Sequence, residues 1–267
     1  MNEIHDPFIH KLPPEIGSHI FSLCLPSLDC QLSDSWSVQE AEWNVPLRLG
    51  AVCRKWRQVA WATPNLWVAP LLEIRPLMAY SLANSLPNLF CEWLGRSGLL
   101  PLTIFFYHAG YYEQGFHEHT CNNFLKLQQV TAVKTATDLV IQMIKAQWSR
   151  LGNLYLNMGA DMFDRLSGCM QSSKMVGLEL VANGHRSPAQ NFIVESSPTY
   201  LALVNFAPTS INPGWDNVTQ VVQAQLDVKE CVELLRRAPS LEYCKVYDLG
   251  EYTNDHMVDF NTVILHP

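Results

Sequence analysis

Four segments of this chain share one spacing of apolar residues. Leu151, Leu154 and Leu156 stand as LxxLxL, and Met175, Leu178 and Leu180 repeat the pattern. Leu201 and Leu203 repeat its end, and Leu241, Cys244 and Val246 repeat it again after the helix-like stretch KECVELLRRAPS. Apolar residues two apart over so short a span read as a strand with one buried face. The strands starting at 154, 178 and 201 are 24 and 23 residues apart. Leucine-rich units repeat every 20 to 29 residues or so, roughly this interval. The step from 201 to 244 leaves room for two units, with a middle strand expected near Val218 to Val222. One such unit cannot bury its own apolar face, so the units are expected to stack strand beside strand. The Asn that usually follows each strand is mostly missing, and Asn157 and Asn183 are only near the place. The array is therefore expected to be degenerate. An ordinary α/β domain with buried LxL strands is the alternative.

Upstream of the repeats, NLFCEWLGRSGLLPLTIFFYH, from residue 88, reads as a helix, a Gly-bearing turn and an aromatic, β-branched strand. LVIQMIKAQWSRLG reads as a helix, with a turn expected at Gly152-Asn153 before the strand. At the other end, Val263-Ile264-Leu265 reads as a strand with no polar cap after it, as in a short family member or an incomplete chain.

The bulk numbers narrow the function classes. Of 267 residues, 48% are hydrophobic and only 16% charged, which argues against disorder and for apolar surface that a partner covers. The net charge of -7 opposes a general attraction to nucleic acid or anionic membrane. No apolar run is long enough to span a bilayer, and MNEIHDPFIHKLPPEIG has no signal core. Eight scattered cysteines with no CxxC pair read as buried reduced thiols. A cytosolic or nuclear protein is expected.

The N-terminal quarter is built differently. In LPPEIGSHIFSLCLP, residues 12 to 26, proline opens a helix and Ile16, Ile20, Leu23 and Cys24 share one face. Residues 27 to 45 are polar and irregular and read as a loop. In PLRLGAVCRKWRQVAWATPNLW, residues 46 to 67, Leu49, Val52, Cys53, Trp56 and Ala60 form one apolar stripe on a single helix ending at Ala62-Thr63-Pro64. Arg54, Lys55 and Arg57 lie outside the stripe and read as its solvated face or as a rim contact with an acidic partner. Helices this short are marginal alone.

Leu12-Pro13-Pro14-Glu15-Ile16, Ile20, Cys24-Leu25-Pro26, Leu47, Val52-Cys53-Arg54-Lys55-Trp56-Arg57, Ala60 and Thr63-Pro64-Asn65-Leu66-Trp67 together resemble an F-box. The polar insert before VCRKWR and the TPNLW after it look like F-box proteins of mushroom-forming fungi. The resemblance implies an α+β chain in parts: an F-box at 8–67, a linker at 68–87 and an α/β leucine-rich-repeat-like solenoid at 88–267. It implies docking on a Skp-family adaptor, and through it a cullin, by Leu12, Pro13, Glu15, Ile16, Ile20, Cys24, Leu25, Leu47, Val52, Cys53, Trp56, Ala60, Leu66 and Trp67. The repeats would hold a target protein for ubiquitination, with no catalysis and no cofactor. A repeat scaffold outside ubiquitination is the second reading.

Chemical signatures are sparse. His117, Glu118, His119 and Cys121 are potential metal ligands, with Glu113 or His108 as a further one, but the stretch reads more simply as a loop. No GxSxG, GxxxxGK[ST] or GxGxxG occurs. Gly95-Arg96-Ser97-Gly98 reads as a turn, with an anion nest as its functional version.

Overall fold

The computed structural model describes residues 11–26, 44–76, 78–109, 124–166, 175–183, 192–193, 196–224 and 226–247. The chain divides into two units, one of residues 1–71 with 88–102, the other of residues 72–87 with 103–267.

In the first unit, helix α1 is Pro14–Ser22. Proline at its first position suits a turn whose N–H groups have no helical partner, and Glu15 sits at the positive end of the dipole. The stripe expected on one helix is divided between α2, Val45–Val52, and α3, Arg54–Trp61. Cys53 between them is extended, at φ -156° and ψ 171°, and its Sγ accepts the Trp56 N–H at 3.4 Å as an N-cap. The break frees the Gly50 carbonyl, which the Arg57 Nε–H takes up at 2.8 Å. A one-turn 3-10 segment, Pro64–Trp67, closes the set.

Residues 68–87, expected as a linker, contain strand β1, Leu71–Ile74, and the start of helix α4, Tyr80–Arg96. Leu72 and Ile74 are both buried, so the alternation there is that of a real strand. Pro87 lies inside α4, where it cannot donate to the carbonyl one turn back. The division between the units falls at this proline.

The second unit is organised by a sheet of seven strands. After β1 come β2, Leu102–His108; β3, Leu151–Gly159; β4, Gly177–Asn183; β6, Tyr200–Val204; β8, Gln220–Ala224; and β9, Tyr243–Tyr247. The short strands β5, Phe192–Ile193, and β7, Ile211–Asn212, pair with each other apart from it. Spatial order follows chain order throughout, and the pairs from β3 to β9 are parallel. Strand order in a doubly wound sheet reverses and leaves a crevice at the reversal; this sheet has no reversal.

Helix α5, Phe124–Ala146, buries Val133, Ala136, Thr137, Val140, Ile141 and Ile144 on one face. Gly152-Asn153, expected as a turn, is already strand. Parallel pairing overrides the local preference there: Asn153 faces Gly177 across β3 and β4, and the Val176 N–H reaches the Gly152 carbonyl at 2.7 Å. Helix α6 is the single turn Ala160–Phe163. Helix α7, Val228–Arg237, opens on a capping box in which the Asp227 carboxylate accepts the Glu230 N–H at 2.7 Å and the Glu230 carboxylate accepts the Asp227 N–H at 3.0 Å.

The repeated residues meet in register. Leu154, Leu178, Leu201, Val221 and Cys244 form one row across β3, β4, β6, β8 and β9. Leu156, Leu180, Leu203, Gln223 and Val246 form the next. All ten are buried. The strand expected near Val218 to Val222 is β8. Asn183 and Asn205 supply side-chain bonds at the strand ends, the first from the end of β4 past β3 to the His108 carbonyl of β2 at 3.1 Å and the second to the Ala182 carbonyl of β4 at 2.8 Å. Asn205 does so at φ +62°, the left-handed region that Asn tolerates better than most residues.

Candidate functional site

The first unit has its own small core. Phe21, Ala60, Leu66 and Trp67 are buried together, with Leu25, Leu49, Trp56, Val59 and Trp93 packed around them. The Trp67 ring meets Trp93 edge-on at 4.8 Å, and Phe21 meets Trp56 at 5.0 Å. Both indole N–H groups are satisfied: buried Trp67 Nε1–H donates to the Ala60 carbonyl at 2.8 Å and half-buried Trp93 Nε1–H to the Trp67 carbonyl at 2.9 Å. The Arg96 guanidinium lies 4.7 Å over Trp67 and 4.4 Å over Trp61. The Thr63 hydroxyl donates to the Val59 carbonyl at 2.7 Å and pairs with the Ser18 hydroxyl at 2.8 Å, tying α1 to the end of α3. Two of the three tryptophans of residues 46 to 67, Trp56 and Trp67, therefore serve a core within the unit.

The residues expected to dock an adaptor divide by depth. Ala60, Leu66 and Trp67 are inside this core, with at most 2% of their surface exposed. Leu12, Ile20, Leu25, Cys53 and Trp56 are half-buried. Pro13, Glu15, Ile16, Cys24, Leu47 and Val52 are exposed. Ile16, Leu47 and Val52 are large apolar side chains at 46%, 49% and 53% exposure, on helices whose other face is already packed. Leu23 at 72% and Trp61 at 46% join this exposed apolar set, although the sequence pattern did not single them out for docking. For Trp61 the missed signal is the break at Cys53, which restarts the helical phase.

Arg54, Lys55 and Arg57 are exposed, as a solvated face requires. The Gly95-to-Gly98 stretch is the C-terminal end of α4, where carbonyls rather than N–H groups project, so it forms no anion nest. Ser97 Oγ–H donates to the Leu94 carbonyl at 2.7 Å, and Gly98 takes φ +60° just past the helix.

In the second unit, His108 ends β2, is buried, and its Nδ1 has no partner among the described residues. Burial lowers its pKa, opposed first by the backbone at His108 and then by the Asp161 carboxylate. His117, Glu118, His119, Cys121 and Glu113 lie outside the described residues. Among the described residues no group of three or more His, Cys, Asp or Glu side chains is placed to hold a metal. The described cysteines are free, and they do not share one environment: Cys24 and Cys91 are exposed, Cys53 and Cys231 half-buried, Cys244 buried. Burial pushes the Cys244 thiol up to about 11. No described helix is long and apolar enough to cross a membrane.

Glu179, on β4, is one of the described groups whose environment departs clearly from its ordinary one. It points away from the LxL rows, opposite Tyr155 on one neighbour and Ala202 on the other. It keeps some solvent contact but is walled by protein, and this burial pushes its carboxyl up to about 7.

No family model, curated protein or solved structure matches this chain.

Proposed function

We propose that this chain is the substrate-receptor subunit of a Skp–cullin–F-box ubiquitin ligase, docking on the adaptor through α1 to α3 and holding a target protein on the strand array. The observation that carries the reading is the exposure of Ile16, Leu47 and Val52 on helices whose own core closes without them. With about half of its surface still exposed, each such side chain contributes about 0.8–1.5 kcal/mol when a partner removes it from water, before association costs. Trp67, Ala60 and Leu66 act from beneath, fixing the helices that present the face. Strands in chain order with their LxL residues in register support an array of stacked units, the part that would present a target. The chain would catalyse nothing; it would supply proximity to the ligase's transferring enzyme in the cytosol or nucleus.

The test is co-expression with a fungal Skp adaptor and its cullin. The reading expects both to co-purify with the wild-type chain and neither with Leu47→Asp/Val52→Asp. Retention of the adaptor by the double variant, or its absence from folded wild-type protein, refutes the reading.

A further inference from the structure

The two faces of the sheet differ. Opposite the LxL rows, Tyr155, Glu179, Ala202, Val222 and Lys245 form one row, and Asn153, Gly177, Tyr200, Gln220 and Tyr243 the row beside it. Tyr155, Glu179, Tyr200, Tyr243 and Lys245 are half-buried and Gln220 is exposed, so this face stays partly open.

Glu179 has a built surround. Tyr155, directly opposite on β3, stacks on Phe105 at 4.4 Å and 7°, which fixes its ring. On β6, Tyr200 pairs with Gly177, two residues before Glu179 on the same face. A Cβ on Gly177 would lie 3.6 Å from the Tyr200 ring and 2.6 Å from Asn153 Oδ1, so side chains from both neighbouring strands close over the glycine. The result is a carboxyl between two tyrosine-bearing strands. Among the described residues, no hydrogen bond or ion pair reaches it, and its raised pKa has burial as its cause, with no cation opposing it. The lysine of its row, Lys245, is three strands away, about 14 Å at ordinary strand spacing.

We propose that this face binds a lysine- or arginine-bearing segment of a partner protein, the cation seated on the Glu179 carboxylate beside the rings of Tyr155 and Tyr200. This deepens the receptor reading and rests on it for the identity of the array as the target-binding part. The chemistry is complementary at each range. The net charge of -7 draws basic segments toward the chain. Tyrosine faces attract a cation. A partly desolvated carboxylate gains most from a charge-assisted hydrogen bond. A neutral or acidic segment gains none of these and leaves the carboxyl uncompensated.

The test is a titration of the full chain, without adaptor, at pH 8. The probes are the pentapeptide Ser-Gly-Lys-Gly-Ser and its Gln counterpart, followed by NMR at the Glu179 carboxyl and the Tyr155 and Tyr200 rings. The lysine peptide should shift those signals and bind about tenfold or more tightly than the glutamine peptide. Glu179→Gln should abolish the preference while its remaining spectrum stays native. Equal binding of the two peptides, shifts that spare Glu179 and both tyrosines, or an undiminished preference in Glu179→Gln each overturns the proposal. Adaptor binding does not enter this titration. If the peptides fail while adaptor and cullin co-purify, this proposal falls and the receptor reading stands.

Discussion

Glu179→Gln should stabilise the protein by an amount that grows as pH rises from about 4.5 to about 7. The folded carboxyl titrates at about 7 against an ordinary 4.5. The folded state therefore holds its proton more tightly than the unfolded chain. Below about pH 4.5 both states are protonated, and Glu179 adds nothing to the pH dependence. Between about pH 4.5 and 7 the unfolded chain ionises while the folded one keeps its proton, so stability falls; above about 7 the loss is complete. The gap corresponds to about 3 kcal/mol, an upper bound because the carboxyl keeps some water. Glutamine has nearly the shape of the protonated acid and no charge to desolvate. Urea unfolding of both proteins at several pH values between 4.5 and 8.5 measures the effect, and taking the difference cancels the other titrating groups. The difference should start near zero and grow to about 2–3 kcal/mol in favour of the variant by pH 8. A difference that does not change with pH, or a variant less stable at pH 8, would refute the reasoning by showing that a cation already compensates the carboxylate.

Trp67→Ala should cost about 3–5 kcal/mol, because it empties the centre of the first unit's core and removes the indole bond to Ala60; thermal unfolding followed by near-ultraviolet circular dichroism reports it. Val52→Asp, at an exposed position, should change the unfolding free energy read from the same transition by no more than about 0.5 kcal/mol. Gly95→Ala should stabilise by about 0.5–1 kcal/mol in urea unfolding, since a Cβ there meets nothing within 4 Å of a helical backbone, whereas Gly98→Ala, at φ +60°, should destabilise by about 1 kcal/mol. Asp227→Ala should cost about 1 kcal/mol and raise amide exchange in the first turn of α7, where the capping box is lost.

The parallel strands were legible because their spacing is local arithmetic: Leu154, Leu178 and Leu201 announce themselves, and the gap before Cys244 announces β8. Gln223 was not legible as a core residue. It occupies an LxL position, fully buried, and relies on one donated bond to the Phe206 carbonyl at 2.7 Å. The break at Cys53 was hidden too, since neither Gly nor Pro marks it and a thiol supplies the cap. That break decides which apolar residues of 46 to 67 face water: Val52 does, and Ala60 does not. Glu179 reads in sequence as an ordinary polar residue between Leu178 and Leu180. Its environment is set by Tyr155 and Tyr200, which only the strand register brings beside it.

The most direct measurement is the affinity of the purified chain for a fungal Skp adaptor by isothermal titration, for wild type and for Leu47→Asp/Val52→Asp, with matched unfolding midpoints. The account predicts wild-type binding that the double variant weakens about thirtyfold or more. Equal affinity in the two proteins, or no binding by folded wild type, would contradict it.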